Sequence, residues 1–316
     1  MRKYLAILTM CILYFSVYGQ SNSPSDLIQQ LSEDILVPYA TPLSTALGTA
    51  MGSGLYHRAK SHKFLGFDLT TKIMVVPIPD FADTHTYRVM TLTPNTAQQK
   101  LDTNYVNVTA STIFGDPNST TVPVGANEVA VPPELPGGLD LPLVPFFVPQ
   151  LSIGLPFGTE VMLRFIQGPK LGGDFVGLIG FGLKYELTSL KALKMLPVKV
   201  ALQGVYQTVR VGEFLNLTTV SLNLHTGRRI FILRPYAGIG FEKTTLKAKY
   251  DFTYDEPDPV TGQTVTKTIP IEMNIPGENN FRITIGLALE MFVMLHFDYN
   301  LGRYPSYNIG MGLTLR

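Results

Sequence analysis

The chain has 316 residues, of which 45% are hydrophobic and 16% charged, with 25 basic against 24 acidic side chains. A net charge this close to zero gives no electrostatic footprint for nucleic acid, so no nucleic-acid partner is expected. After the first 19 residues there is no apolar run of about 18 residues or more, which excludes a helical membrane span there.

The first residues are typical of a secretory signal peptide. Arg2 and Lys3 form a charged start, the apolar stretch YLAILTMCILYFSVY follows, and Gly19 offers a small residue for cleavage. We therefore expect residues 1–19 to be removed, which leaves 23 basic and 24 acidic residues. A retained membrane anchor is the alternative, although the apolar run is short for a spanning helix. Cys11 is the only cysteine, so no disulfide is expected in the mature protein.

Residues 20–62 are predicted to form a helical plug or lead-in. Apolar residues recur at helical spacing before Pro38, and the prolines at 38 and 42 are expected to divide the segment into two short helices. Gly48 and Gly52 lie four residues apart. Either this spacing allows a close backbone approach, or the helix frays and stops at Gly52 and Gly54.

From residue 63 the hydrophobic pattern switches to a period of two, which predicts β-strands. In FRITIGLALEMFVMLHFDYN, every odd position from Phe281 to Tyr299 is apolar. That stretch is too long for one strand, so a turn near Glu290 is expected to divide it into a hairpin. Many segments run for roughly 10–15 residues, longer than the 5–6 typical of globular strands and suited to crossing a membrane.

The same alternation fits either a β-sandwich or a membrane β-barrel. The long segments, a less apolar face rich in Gly, Thr and Asn, and aromatic residues near strand ends favour the barrel. The predicted fold class is all-β: a closed antiparallel transmembrane β-barrel over residues 63–316, with about 12 strands and a range of 10–14. PSYNIGMGLTLR is expected to close it, since an open edge in lipid leaves backbone groups unpaired. A soluble secreted β-sandwich binding protein is the alternative.

One region interrupts the predicted strands. Residues 115–150 are crowded with Pro and Gly, and proline cannot donate to a ladder, so we expect a long ordered loop rather than a central strand. The loop is too apolar for a disordered linker. A second insertion, from Asp255 to Thr264, is expected to form a hairpin tip.

Charged and titratable residues on the less apolar face of the strands are candidates for the barrel lumen. They carry both signs, often two or four residues apart on one strand. Either they pair across a packed interior or they line a polar conduit, and the lack of a ring of one sign favours pairing. The candidates are Asp68, Lys72, Glu160, Arg164, Lys184, Glu186, Arg234, Glu242, Arg282, Glu290, His296 and Asp298.

Three stretches, GSGLYHRAKSHKFLGFDLT, PQLSIGLPFGTEVMLRFI and GLIGFGLKYEL, resemble an uncharacterised family of exported barrel proteins from outer-membrane bacteria of the Bacteroidota type. The resemblance covers most of the mature chain and implies localisation in the outer membrane of a bacterium, after removal of the signal peptide. It carries over no catalytic residue. The layout also resembles, more distantly, the long-chain fatty-acid transporter barrels, in which an N-terminal helical segment plugs the lumen.

The sequence contains none of the common catalytic motifs. No GxSxG, HExxH or Walker-type stretch occurs, so the chain is not expected to be an enzyme or to bind a cofactor. His57 and His62 have no acidic or thiol partner nearby in the sequence, so no metal site is expected.

The predicted function is a passive or plug-gated outer-membrane channel for small apolar or amphiphilic molecules. The main alternative is a non-transporting outer-membrane scaffold or anchor for secreted partners, and a membrane hydrolase is a third. Expected partners are outer-membrane lipid, the barrel-assembly machinery and, for a channel, a small apolar ligand.

Overall fold

The computed structural model describes residues 32–95, 100–171, 174–257, 264–290 and 293–315. The predicted signal peptide and the beginning of the predicted first helix lie outside these residues, as does the predicted hairpin tip after Pro257. Within the described part, a π-helical turn at Ser32–Leu36 leads into one α-helix, α1, at Val37–Gly52. No helix there is long and apolar enough to cross a membrane.

Strands make up most of the remaining described chain, joined by loops and a few short 3-10 turns. The strands are β1 Phe67–Pro77, β2 Thr84–Asn95, β3 Lys100–Ser111, β4 Thr120–Thr121, β5 Val129–Val131, β6 Glu134–Leu135, β7 Leu143–Gly154, β8 Thr159–Leu171, β9 Asp174–Glu186, β10 Lys199–Val211, β11 Leu215–Gly227, β12 Leu233–Pro257, β13 Thr264–Pro276, β14 Phe281–Glu290, β15 Met294–Gly302 and β16 Ser306–Leu315.

Ten of the described strands form a closed antiparallel β-barrel. Their order is β11-β10-β9-β8-β7-β1-β16-β15-β14-β12, and pairing between β11 and β12 closes the ring. The predicted barrel class is therefore confirmed, and the β-sandwich alternative is wrong because a closed ring is not two stacked sheets. The expected 12 strands become ten, because β2 and β3 pair in a separate sheet with β5, and β13 pairs only with β12 outside the ring.

The predicted closing strand and the predicted hairpin are both present. β16 pairs with β1 from Tyr307 opposite Val75 to Leu315 opposite Phe67, and with β15 on its other side. β14 ends at Glu290 and β15 begins four residues later, where the turn was expected. The alternation along these strands reflects a ring with two chemically different faces.

The outward face of the ring is apolar and the inward face is polar. Every ring strand exposes at least one large apolar side chain, and the inward positions between them hold buried Asn, Gln, Thr and charged residues. This distribution is the reverse of that of a soluble sheet protein, and it is what a barrel in lipid requires. One outward residue from each strand is Leu69, Phe147, Phe165, Ile179, Tyr206, Leu222, Ile239, Ile285, Phe297 or Ile309.

β7 corrects the prediction that residues 115–150 form only a loop. Its first part, with Pro145 and Pro149, is a strand of the ring. β7 pairs with β1 along its length but with β8 only over Gln150–Gly154. The prolines therefore lie where one neighbouring ladder is missing, and a strand can accommodate proline where no donor is needed.

α1 corrects the prediction of two short helices, because it runs unbroken through both prolines. Pro38 lies in the first turn, where its missing N–H has no partner within the helix anyway. Pro42 removes one internal hydrogen bond, while the Thr41 hydroxyl donates to the Val37 carbonyl at 2.8 Å. After the helix, Gly54 adopts a φ of 63°, the left-handed conformation common at helix ends.

The chain divides into two compact units. The barrel unit comprises residues 43–79, 142–247 and 276–316 and contains the ring with most of α1. The second unit comprises the remaining residues and includes β2 to β6. Its buried apolar core consists of Ile35, Tyr87, Val89, Val108, Ala110, Val122, Ala130 and Leu135.

Candidate functional site

The lumen of the barrel unit contains residues 43–62, which we call the internal segment. At one end, the Glu278 N–H donates to Thr45 Oγ1 at 3.0 Å, beside the start of β14. At the other, the terminal end where β1 begins and β16 finishes, the Ser61 N–H donates to Glu186 Oε2 at 2.9 Å. From residue 48 to 62, the internal segment is buried except at Lys60. It therefore follows the barrel axis from one end to the other.

Cationic side chains of the wall bind the end of α1. The Arg164 guanidinium donates to the Met51 carbonyl at 2.9 Å and to the Ser53 carbonyl at 3.0 Å. The Lys72 ammonium donates to the Gly54 carbonyl. The last carbonyls of a helix have no partner within it, and its carboxyl end carries partial negative charge. The barrel wall thus caps the helix and neutralises its dipole.

Wall amides complete this attachment. Gln207 Nε2 donates to the Met51 carbonyl at 2.9 Å, and Gln150 Nε2 donates to the Leu55 carbonyl at 3.3 Å. The side-chain oxygens of both amides accept hydrogen bonds from Arg164, at 3.0 and 2.9 Å. The guanidinium and two amides therefore form one network that fixes the backbone of the internal segment.

A buried carboxylate holds the second half of the internal segment. Asp68 Oδ2 lies 3.1 Å from His57 Nε2, 2.8 Å from His62 Nε2 and 3.0 Å from the Arg58 guanidinium. The guanidinium supplies the positive charge that a buried carboxylate needs. Within the described residues, no group of three or more His, Cys, Asp or Glu is arranged to hold a metal ion.

Two more carboxylates hold the same stretch near the terminal end. Glu160 Oε1 accepts from Lys184 at 2.7 Å, and its other oxygen accepts the His62 N–H at 3.1 Å. Glu186 accepts the Ser61 N–H on one oxygen, while Lys199 lies 3.1 Å from the other. Carboxylates therefore anchor this half of the segment, whereas cations and amides anchor the helix end.

The glycines of α1 permit close packing against the wall. A Cβ atom at Gly48 would lie 2.3 Å from Thr244 Oγ1, and one at Gly52 would lie 2.2 Å from Glu242 Oε1. Real Cβ atoms do not come this close to other heavy atoms, because van der Waals contact begins near 3.5 Å. The structure therefore shows close approach at both glycines, and because α1 ends at Gly52, it shows the helix-stop role as well.

All twelve lumen candidates from the sequence are buried on the inward face. Three ion pairs join neighbouring strands: Lys184–Glu160 at 2.7 Å, Arg234–Glu290 at 2.9 Å and Arg282–Glu242 at 2.8 Å. Five others meet the internal segment; these are Asp68, Lys72, Arg164 and Glu186, described above, and His296, which stacks on His57. Asp298 instead accepts a hydrogen bond from Tyr236 at 2.8 Å.

Several partners in this network were missed from the sequence. Gln150, Gln203 and Gln207 occupy inward positions between the charged ones, and Arg58 and Ser61 belong to the internal segment. The strand alternation could have indicated the glutamines, since they share the parity of the charged residues. No periodicity marks residues 53–62, which form neither helix nor strand.

Among the ring junctions whose register is described, the one between β7 and β8 is short. The other ring junctions with a described register run over seven to 13 residue pairs, whereas this one has five. We call the unpaired part, between residues 143–149 of β7 and 165–171 of β8, the seam. Phe147 and Phe165 are exposed on its outer side.

The inward side of the seam is apolar. A second apolar cluster on the inward face, formed by Met162, Val205, Tyr236 and Ala288, packs against the internal segment. At the seam, three buried residues form a cluster, and three half-buried ones pack against it. The strand registers place all six residues in the half of the barrel that is farther from the terminal end. The buried residues are Met74, Val148 and Leu178, and the half-buried ones are Phe146, Ile166 and Val209.

Comparison with known proteins identifies the family but no activity. The model of DUF6588, a family of unknown function, matches residues 1–315. The chain belongs to this family. The expected resemblance to an uncharacterised family is thus confirmed, while its assignment to Bacteroidota stays a prediction. No curated protein matches the chain.

Two solved structures of outer-membrane proteins have weak similarity to the chain. One is a loop L8 deletion mutant of OmpT, an outer membrane protein of Vibrio cholerae, with 9% identity and a TM-score of 0.26; the match covers 81% of this chain and 99% of that one. The other is the outer membrane channel DcaP of Acinetobacter baumannii, with 8% identity and a TM-score of 0.21, covering 83% and 99%. At these TM-scores, neither similarity carries an argument about function.

Proposed function

We propose that this protein is a bacterial outer-membrane barrel through which small apolar or amphiphilic molecules pass by way of the seam. The membrane placement is supported by the outward apolar face, which is present on all ten ring strands. A band of this kind exposed to water would be an aggregation liability, whereas hydrocarbon accommodates it.

The observation that carries the proposed transport role is the seam with its apolar inner lining. In lipid, unpaired backbone groups are costly, so barrel strands normally pair along their full length. Here Pro145 and Pro149 remove two donors from the unpaired stretch. The lining offers an apolar ligand a surface, whereas the other inward apolar cluster packs against Leu55 and Tyr56 of the internal segment. These features suit a sideways path for molecules that dissolve in lipid.

The internal segment supports a sideways path over an axial one. Hydrogen bonds and ion pairs fix it from Met51 to His62, on the axis of the barrel. A polar solute moving along that axis would have to displace several buried contacts together. An apolar molecule crossing the seam meets only the lining residues.

The same contacts favour one competing function, a non-transporting scaffold or anchor. A segment held this firmly makes the ring a rigid support, and the second unit would then present a surface to secreted partners. The two functions differ in what the seam lining binds. The expectations that the chain is not an enzyme and that the barrel-assembly machinery inserts it stay predictions.

The experiment measures binding of the apolar fluorophore N-phenylnaphthylamine to the purified barrel in detergent, with and without an altered lining. In the test variant, Phe146→Gln and Ile166→Gln are combined, because both side chains are half-buried at the seam. Each change is expected to remove about 1 kcal/mol of apolar contact, so binding should weaken about 30-fold. The control is Met294→Gln, an inward apolar residue on β15, three strands from β7.

Folding of each variant is checked by the difference in gel mobility between boiled and unboiled samples. Binding that weakens in the seam variant but not in Met294→Gln supports the proposal. A folded wild-type barrel that binds no fluorophore and passes no apolar solute into liposomes contradicts it and supports the scaffold.

A further inference from the structure

A cleft at the terminal end of the barrel unit has a strongly basic lining. None of its lining residues belongs to the seam. Its volume is about 220 Å³. It lies where β10 and β12 begin and β11 ends, beside the last part of the internal segment. Basic side chains from four places in the chain converge on it, together with one exposed leucine: Lys60, Lys199, Arg228, Arg229, Arg234 and Leu196.

The charges of the cleft do not balance. Glu186 lies 3.1 Å from Lys199, and Glu290 lies 2.9 Å from Arg234 and 4.0 Å from Arg229. Two carboxylates therefore face five cations. Lys60 and Arg228 form no ion pair within the described part of the chain. An excess of about three positive charges in a concave site favours an anion.

The surroundings of the cleft are apolar and exposed. Phe231 is 87% exposed at the tip of the turn between β11 and β12, and Ile230 beside it is 57% exposed. On the neighbouring connection, Met195 is 95% exposed, and Leu196 continues from there into the cleft. A ligand that fills the cleft with its anionic group therefore has apolar surface next to it for a hydrocarbon chain.

We propose that the cleft binds the phosphate group of an anionic phospholipid, with the acyl chains along the exposed apolar turns. Guanidinium groups bind phosphate oxygens in pairs, and clusters of Lys and Arg near a membrane surface attract anionic lipid head groups. Because Lys60 is the exposed residue of the internal segment, a bound phosphate joins the segment to the wall. The inference rests on the proposed membrane placement but not on transport through the seam.

Native mass spectrometry of the detergent-purified protein tests this inference with phosphatidylglycerol and, for comparison, phosphatidylcholine. The test variant combines Lys60→Gln and Arg228→Gln, which remove the two unpaired cations. Each Lys or Arg near a lipid surface contributes roughly fivefold in affinity, so retention of phosphatidylglycerol should fall about 25-fold. The control combines Lys191→Gln and Lys194→Gln, two exposed cations at the same end but outside the cleft lining.

Inorganic phosphate separates the two sources of the anion. The inference is supported if the wild type and the control variant retain phosphatidylglycerol selectively, if the test variant loses this retention, and if millimolar phosphate does not displace the lipid. Equal retention in both variants, or full displacement by inorganic phosphate, overturns it. The membrane placement fails separately, if the mature protein stays soluble without detergent. The proposed transport through the seam is also tested separately, because the variants used for fluorophore binding change residues outside the cleft.

Discussion

Replacing Arg164 with Met is expected to release the internal segment while leaving the ring closed. The side chain is 1% exposed and donates four hydrogen bonds of 2.9–3.0 Å. Two go to the backbone carbonyls of Met51 and Ser53, and two to the amides of Gln150 and Gln207. Met fits the space of the aliphatic part of the side chain but donates nothing, so the change removes the donors without adding bulk.

The expected magnitude follows from the acceptors left behind. All four acceptors lose the cationic donor, but the Met51 carbonyl keeps its bond from Gln207, so three acceptors in this network are left without a hydrogen bond. Each buried acceptor without a partner costs about 1–3 kcal/mol, and removing a buried charge offsets part of the total. The net loss is about 4 kcal/mol. Since about 1.4 kcal/mol is tenfold, the displaced state of the segment should become about a thousandfold more populated.

Single-channel recording in planar bilayers measures this change, with wild type giving rare openings and Arg164→Met giving frequent ones. The matched control is Arg210→Met, since Arg210 is an exposed arginine on β10. Gel mobility before and after boiling should show a folded barrel in both variants. Conductance in Arg164→Met no higher than in Arg210→Met would refute the view that this guanidinium holds the segment in place.

Three further predictions concern the ring and are checked by heat-dependent gel mobility. Met311→Arg places a charge on the outward face, where an arginine near the bilayer midplane costs about 2–4 kcal/mol. It should therefore impair folding more than Leu315→Arg, which lies near the terminal end. Equal effects of the two changes would contradict the lipid-facing assignment. Gly312→Ala should destabilise the barrel because the added Cβ would lie 2.2 Å from a carbonyl oxygen of β1, while Gly204→Ala, which has open space, should be neutral. Truncation after Tyr307 removes most of β16 and should leave no folded barrel, so a heat-modifiable band from that form would show that closure is dispensable.

The sequence indicated the ring and the polarity of its two faces because both depend on a period of two. Asp68 and Lys72 on β1, for example, have the same parity as buried Thr70, and Leu69 has the opposite one. Whether a residue falls on an odd or an even position of a strand does not depend on which strands pair with it, so the two faces could be assigned from a single sequence. The expected strand number was too high because β2 and β3 alternate like ring strands but pair elsewhere.

The partners inside the lumen could not be predicted in the same way. Arg164 contacts residues 14 to 113 positions away in the chain, and this separation carries no local signal. The seam was hidden for a related reason. Pro145 and Pro149 argue against a strand unless one knows that β8 pairs only with the other half of β7. Whether a proline is tolerated depends on the neighbouring ladder, which is a tertiary property.

The course of the internal segment also constrains how the protein is made. The segment precedes β1 in the chain. The junction between β1 and β16 joins the first and last strands of the ring, so it can form only after β16 has been made. Insertion after closure would mean drawing the N-terminal residues through a finished ring. Closure around a segment already in position avoids this step. Buried groups such as Asp68 and Lys72 would then contact their partners on the segment as each strand joins the ring. The strands would assemble around the segment, and its width would set the number of ring strands at ten.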